Sequence, residues 1–98
     1  MSSKDFGYPY LHVTADAQVK ATPGILRRIT VNGLTTAGDA TLYDSLTETG
    51  TVIGVLHLDL TTSVSVQPIT LEYDAKFGTG LYIGFDATLA ADLTVMYE

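Results

Sequence analysis

The feature that most limits what this chain can become is a period-two alternation of β-branched, aromatic and polar residues, interrupted by turn signals about every ten residues. Successive side chains of an extended strand point to opposite faces, so alternation marks half-buried strands, whereas a helix needs a period of 3.6. Fifteen threonines lie among valine, leucine, isoleucine and tyrosine, residue types that fit a pleated surface. The pattern predicts strands at 10–14, 17–21, 25–31, 40–44, 52–60, 64–66, 69–73, 81–85 and 93–97. Within 25–31 the apolar face is read as Ile25, Arg27, Ile29 and Val31, opposite Leu26, Arg28 and Thr30. Within 52–60, Val52, Gly54, Leu56, Leu58 and Leu60 share one face, opposite Ile53, Val55, His57 and Asp59. Pro68 lacks a ladder donor and marks an edge, a bulge or a strand start.

The turn signals are Pro23-Gly24, Asn32-Gly33, Ala37-Gly38-Asp39, Thr49-Gly50 and Gly78-Thr79-Gly80. No helix fits between them; residues 87–92 have room for one turn, too little to stand alone. Short strands at this spacing predict an all-β chain, a single β-sandwich or small barrel over residues 9–98. Residues 1–8, with Ser, Lys, Asp and Gly, read as a flexible N-terminal arm.

Composition narrows the function classes. At 98 residues the chain suffices for one core and no second. Its apolar fraction of 46% against 16% charged argues against disorder, which needs the reverse balance. No apolar run reaches the ~20 residues of a membrane-spanning helix, and residues 1–7 lack the apolar stretch of a signal peptide. The absence of cysteine excludes disulfides, thiol nucleophiles and cysteine-ligated zinc. Eleven acids against five bases give a net charge of −6, with Lys4, Lys20, Arg27, Arg28 and Lys76 forming no basic stripe. Neither nucleic acid nor an anionic membrane surface is expected as a partner.

Each motif with catalytic appeal has a plainer reading. Residues 78–84, Gly-Thr-Gly-Leu-Tyr-Ile-Gly, miss the dinucleotide fingerprint by one residue and run into a strand rather than a helix. His57 and Asp59 share a strand face, but no nucleophile elbow or zinc motif accompanies them, and His12 stands apart. Asp39, Asp44, Glu48, Asp59, Asp74, Asp86 and Asp92 lie near turns, where carboxylates hydrogen-bond locally; no EF-hand spacing links them. The expectation is a non-enzymatic protein with no cofactor and no metal. Among the six tyrosines, Tyr73 and Tyr97 continue apolar strand faces, while Tyr8-Pro9-Tyr10 follows the arm as an aromatic anchor for a neighbouring subunit or for the chain's own sandwich.

The ordered strings at 20–26 (Lys-Ala-Thr-Pro-Gly-Ile-Leu), 29–33 (Ile-Thr-Val-Asn-Gly), 40–44 (Ala-Thr-Leu-Tyr-Asp) and 50–54 (Gly-Thr-Val-Ile-Gly) open a series. It continues through 68–71 (Pro-Ile-Thr-Leu), 77–83 (Phe-Gly-Thr-Gly-Leu-Tyr-Ile) and the ending Ala-Asp-Leu-Thr-Val-Met-Tyr-Glu at 91–98. This series resembles the small β-sandwich virion structural proteins of tailed bacteriophages, and among them capsid decoration (cement) proteins, over roughly residues 17–98. The resemblance is one of pattern and carries no catalytic motif. It implies a jelly-roll-like sandwich of about eight short antiparallel strands, assembling as a homo-oligomer, a trimer, on the outer capsid surface of a virion. The implied partner is the major capsid protein. Phe6, Tyr8, Pro9 and Tyr10 are then the expected shell contacts, with Arg27 and Arg28 as ion-pair partners of neighbouring chains. The alternatives are a tail or fibre component of the virion and a carbohydrate-binding β-sandwich module that stacks sugars on Tyr82 or Tyr43.

Overall fold

A computed structural model describes residues 9–58 and 69–98. Eight strands run in chain order: β1 (Tyr10–Val13), β2 (Ala17–Lys20), β3 (Gly24–Thr36), β4 (Gly38–Asp44), β5 (Thr51–Leu58), β6 (Ile69–Phe77), β7 (Leu81–Phe85) and β8 (Ala90–Tyr97). They form two four-stranded antiparallel sheets, β1-β8-β3-β6 and β2-β7-β4-β5. The chain is an all-β sandwich.

The strand order has a simple origin. β4 pairs with β5, β3 with β6, β2 with β7 and β1 with β8, so each strand meets the one equally far from the β4–β5 turn on the other arm. The chain is one long hairpin, and rolling it up adds the β3–β8 and β4–β7 pairings that close the sheets. This is the jelly-roll arrangement, the double-sheet route by which an all-β chain limits its edges. It puts the 14–16 and 86–89 connections at one end of the sandwich, and the 21–23, 45–50 and 78–80 connections at the other with residues 9 and 98.

Leu26, Ile29, Val31, Leu42, Phe77, Leu81, Ile83, Leu93 and Val95 are fully buried between the sheets. Each stabilises the fold by about 1.5–3 kcal/mol relative to an exposed side chain. Among the described residues the buried set contains no polar or charged side chain. Cross-strand register repeats the logic row by row: Leu11, Val95, Ile29 and Leu71 face inward together, and His12, Thr94, Thr30 and Thr70 face outward.

Three expectations need correction. The inward face of 25–31 is not Ile25-Arg27-Ile29-Val31, because Leu26 is the buried residue there. The register shifts between Leu26 and Arg28, and the extra residue reverses the parity, which turns Leu26 inward without burying the Arg27 guanidinium on the core face. Val52 does not share the core with Gly54, Leu56 and Leu58; a shift between Leu42 and Tyr43 reverses its face and leaves it 49% exposed. Asn32-Gly33 is no turn: β3 runs through it for 13 residues, and only Ala37 separates β3 from β4. Neither residue has a positive φ, so the pair's turn chemistry is unused. The strand at 64–66, Pro68 and Asp59 lie outside the described residues, as does the arm with Phe6 and Tyr8.

Candidate interaction surface

The outer face of the β1-β8-β3-β6 sheet is polar and nearly continuous. Register sets Tyr10, Met96, Arg28 and Glu72 in one row across all four strands. Two of the expected contact residues, Tyr10 and Arg28, thus stand on one face two strands apart, about 10 Å at ordinary strand spacing. Tyr10 is 68% exposed, the most exposed large apolar side chain among the described residues. Arg28 Nε lies 3.6 Å from Glu72 Oε2, an exposed pair. Pro9 is exposed, and its carbonyl accepts a 3.0 Å bond from the Tyr97 N–H, fixing the chain at the start of β1.

Arg27 is used differently. It occupies the register shift in β3, half-buried, with Nη1 3.1 Å from Asp74 Oδ1 and Nη2 3.3 Å from Glu98 Oε1. Asp74 has a φ of +51°, a left-handed conformation rare outside glycine and tolerated best by Asp and Asn. The β3 shift and this residue form one bulge, with the ion pair across it.

The adjoining rows hold a polar network. Asp92 Oδ1 accepts from His12 Nε2 at 2.5 Å and from Asn32 Nδ2 at 3.1 Å, and the Asn32 amide also donates to Thr94 Oγ1 at 2.9 Å. These bonds, led by Asn32 and followed by His12, hold the Asp92 carboxyl below its ordinary pKa. Thr30 and Thr70 hydroxyls bond at 3.0 Å beside them. The second histidine finds its partner across strands: His57 Nδ1 lies 2.9 Å from Asp39 Oδ1, its register neighbour on β4.

The outer face of the other sheet carries Gln18, Tyr82, Tyr43 and Val52 in one row. Tyr43 and Tyr82 are direct cross-strand neighbours, both half-buried. The 45–50 connection folds onto this face: Gln18 Nε2 donates to the Leu46 carbonyl at 2.9 Å, and the Glu48 side chain lies over Gly84, where a Cβ would strike it. Burial, and then the charges of Asp16 and Glu48, raise the Tyr82 pKa.

The carboxylates at the strand ends are occupied by backbone. Asp44 accepts the N–H groups of Gly78 at 3.0 Å, Thr79 at 2.8 Å and Gly80 at 3.4 Å, which lower its pKa in that order of importance. Asp86 accepts from the N–H of Asp39 at 2.8 Å, Leu89 at 2.8 Å and Thr88 at 3.0 Å, with the same effect. Asp16 accepts the Phe85 N–H at 2.7 Å. The local turn reading of the acids holds for Asp86, whose partners Thr88 and Leu89 are two and three residues on; Asp44 instead ties a turn 34 residues away in sequence. A shallow open depression of about 420 Å³ lies at the opposite end, lined by Thr14, Ala15, Asp16, Phe85, Asp86 and Leu89.

Sequence reasoning did not find Asn32, which it assigned to a turn, nor the pairing of each histidine with an acid on another strand. The only local signal was an Asn in an otherwise alternating run. Comparison with protein-family models, curated proteins and solved structures returned no match.

Proposed function

We propose that this chain is a non-enzymatic structural protein of a tailed-phage virion, coating the outer surface of the capsid as an oligomer and contacting the major capsid protein. The observation that carries the reading is Tyr10, 68% exposed on a polar sheet face in the same row as Arg28. A tyrosine offers large contact area with few rotatable bonds, and its neighbours on this face are paired and so pre-organised. The jelly-roll order adds support, since viral capsid domains are among those built on it.

The mechanism is linkage. A protein that binds the expanded shell and not its precursor stabilises the expanded form by mass action. Three copies joined in a ring engage the lattice together, so weak single contacts add as avidity. The test is co-sedimentation with purified expanded shells, comparing the natural chain with a Tyr8→Ala, Tyr10→Ala double variant. The expected result is binding weakened by about 30-fold or more, the scale of an interface hot spot, with an unchanged circular dichroism spectrum. Equal binding of the two proteins would remove the tyrosines from the interface; no binding by either would overturn the capsid reading. Gold labelling of whole virions separates head from tail or fibre.

A second reading is favoured by a specific feature. Tyr43 and Tyr82 stand side by side on the other sheet, with Gln18 in the same row and Glu48 close by, aromatic area with polar groups such as sugars use. A glycan array checks it: micromolar binding lost in Tyr82→Ala would favour a carbohydrate-binding module.

A further inference from the structure

The four sheet edges are not alike. β1 and β2 are four residues each, too short to template much pairing, and β2 ends in Lys20. β6 is longer but carries Glu72, Asp74 and Lys76, and its left-handed Asp74 bends it. These are the protections that keep edge strands from pairing with other chains. β5 is long and uncharged, and its one protection is a bulge at Ile53, near its start. Over eight residues, Thr-Val-Ile-Gly-Val-Leu-His-Leu, it contains no Asp, Glu, Lys, Arg or Pro, and among the described residues only β4 pairs with it. Its outward valines, Val52 and Val55, are 49% and 39% exposed.

We propose that β5 is a self-association edge, pairing antiparallel with β5 of a second copy of this chain about a two-fold axis at Val55. Residues opposite each other in a ladder share a face, so the axis must pass through a residue rather than between two. Placing it at Val55 sets outward valine against outward valine and inward Gly54 against inward Leu56, the stretch that lies inside the bulge at Ile53. The two sheets then become one of eight strands. A second copy is the fitting occupant on charge grounds. With −6 per chain, two copies repel over most of their surfaces, and the uncharged β5 is where they approach at least Coulombic cost. An isologous contact of this kind closes on itself and does not grow into fibres. It differs from the three-fold contact of the proposed ring and does not depend on the virion reading.

The chain has no cysteine, so Val55→Cys gives a single thiol. Opposed residues of a two-fold strand pair sit within disulfide reach. Mild oxidation at micromolar concentration is expected to yield a covalent dimer on a denaturing gel, while Thr35→Cys, an exposed position on β3, yields none. Val55→Lys, at a site that already faces solvent, is expected to halve the native mass and leave the circular dichroism spectrum unchanged. A native mass that Val55→Lys does not alter, with no covalent dimer from the Val55→Cys chain, overturns the proposal. A trimer unaffected by either substitution would do so while leaving the ring intact. A dimer split by Val55→Lys would support the β5 contact and count against a ring formed in solution.

Discussion

Asp44 ends β4 and gathers three N–H groups of the 78–80 turn onto one carboxylate, joining the two arms of the hairpin where no strand pairing reaches. Asp44→Asn retains one acceptor oxygen and loses the charge that strengthens these bonds. The group faces solvent, so screening limits the cost to about 1 kcal/mol, a fall of about 4–8 °C in Tm for a domain of this size. The pH dependence has a definite sign. Asp44, Asp86 and Asp92 all titrate below the ordinary 3.8 in the folded chain, so the folded state binds their protons less readily than the unfolded one. Their stabilisation is complete above the unfolded value and is lost as pH falls through the folded values. Thermal melts should be insensitive to these groups above about pH 5 and drop progressively below about pH 4. In Asp44→Asn that acid-side drop should be smaller.

At the scale of elements, the bulges decide what the sequence could disclose. Alternation located β1, β2, β4 and β7 closely and β8 from Leu93 onward, because each strand keeps one parity through most of its length; it missed the start of β8 at Ala90. It misread Ile25, Arg27 and Val52, because an inserted residue reverses parity and nothing local announces it. It also divided β3 at Asn32-Gly33, a pair that permits a hairpin turn without requiring one; the ladder to β8 continues through Gly33 to Thr36. The candidate surface was legible only as far as its residue types. Tyr10 announced itself as an aromatic at the end of the arm, whereas its row with Arg28 depends on pairing residues 10 with 96 and 96 with 28. The bulge at Asp74 gives a direct check. Asp74→Asn keeps a side chain suited to φ of +51° and removes the charge from a solvent-screened ion pair with Arg27, so it should cost less than about 1 kcal/mol. Asp74→Val forces a β-branched residue into that conformation and should cost about 1–2 kcal/mol more. Urea denaturation of both variants measures the difference.

For the whole molecule, the rolled hairpin makes most pairings distant in sequence, such as Tyr10 with Met96 and Gly24 with Phe77; only near the tip, as for Asp44 with Thr51, are they local. Closing such loops costs chain entropy before the contacts that offset it form. Stopped-flow refolding is therefore expected on the scale of about milliseconds to seconds, as for other chains of non-local β pairing. Relaxation within tens of microseconds would contradict this topology as the rate-setting feature.

The Pro9 carbonyl bonded to the Tyr97 N–H also places residues 9 and 98 at the same end of the sandwich, on adjacent antiparallel strands. That arrangement sets how the molecule yields to force. Tension applied between those two points opens β1 from β8 like a zipper, loading one hydrogen bond at a time. Tension applied from residue 9 to the far end of β8 loads the whole ladder at once in shear. The same protein is thus mechanically weak along one pair of attachments and strong along another, and where it is held determines how much load it bears.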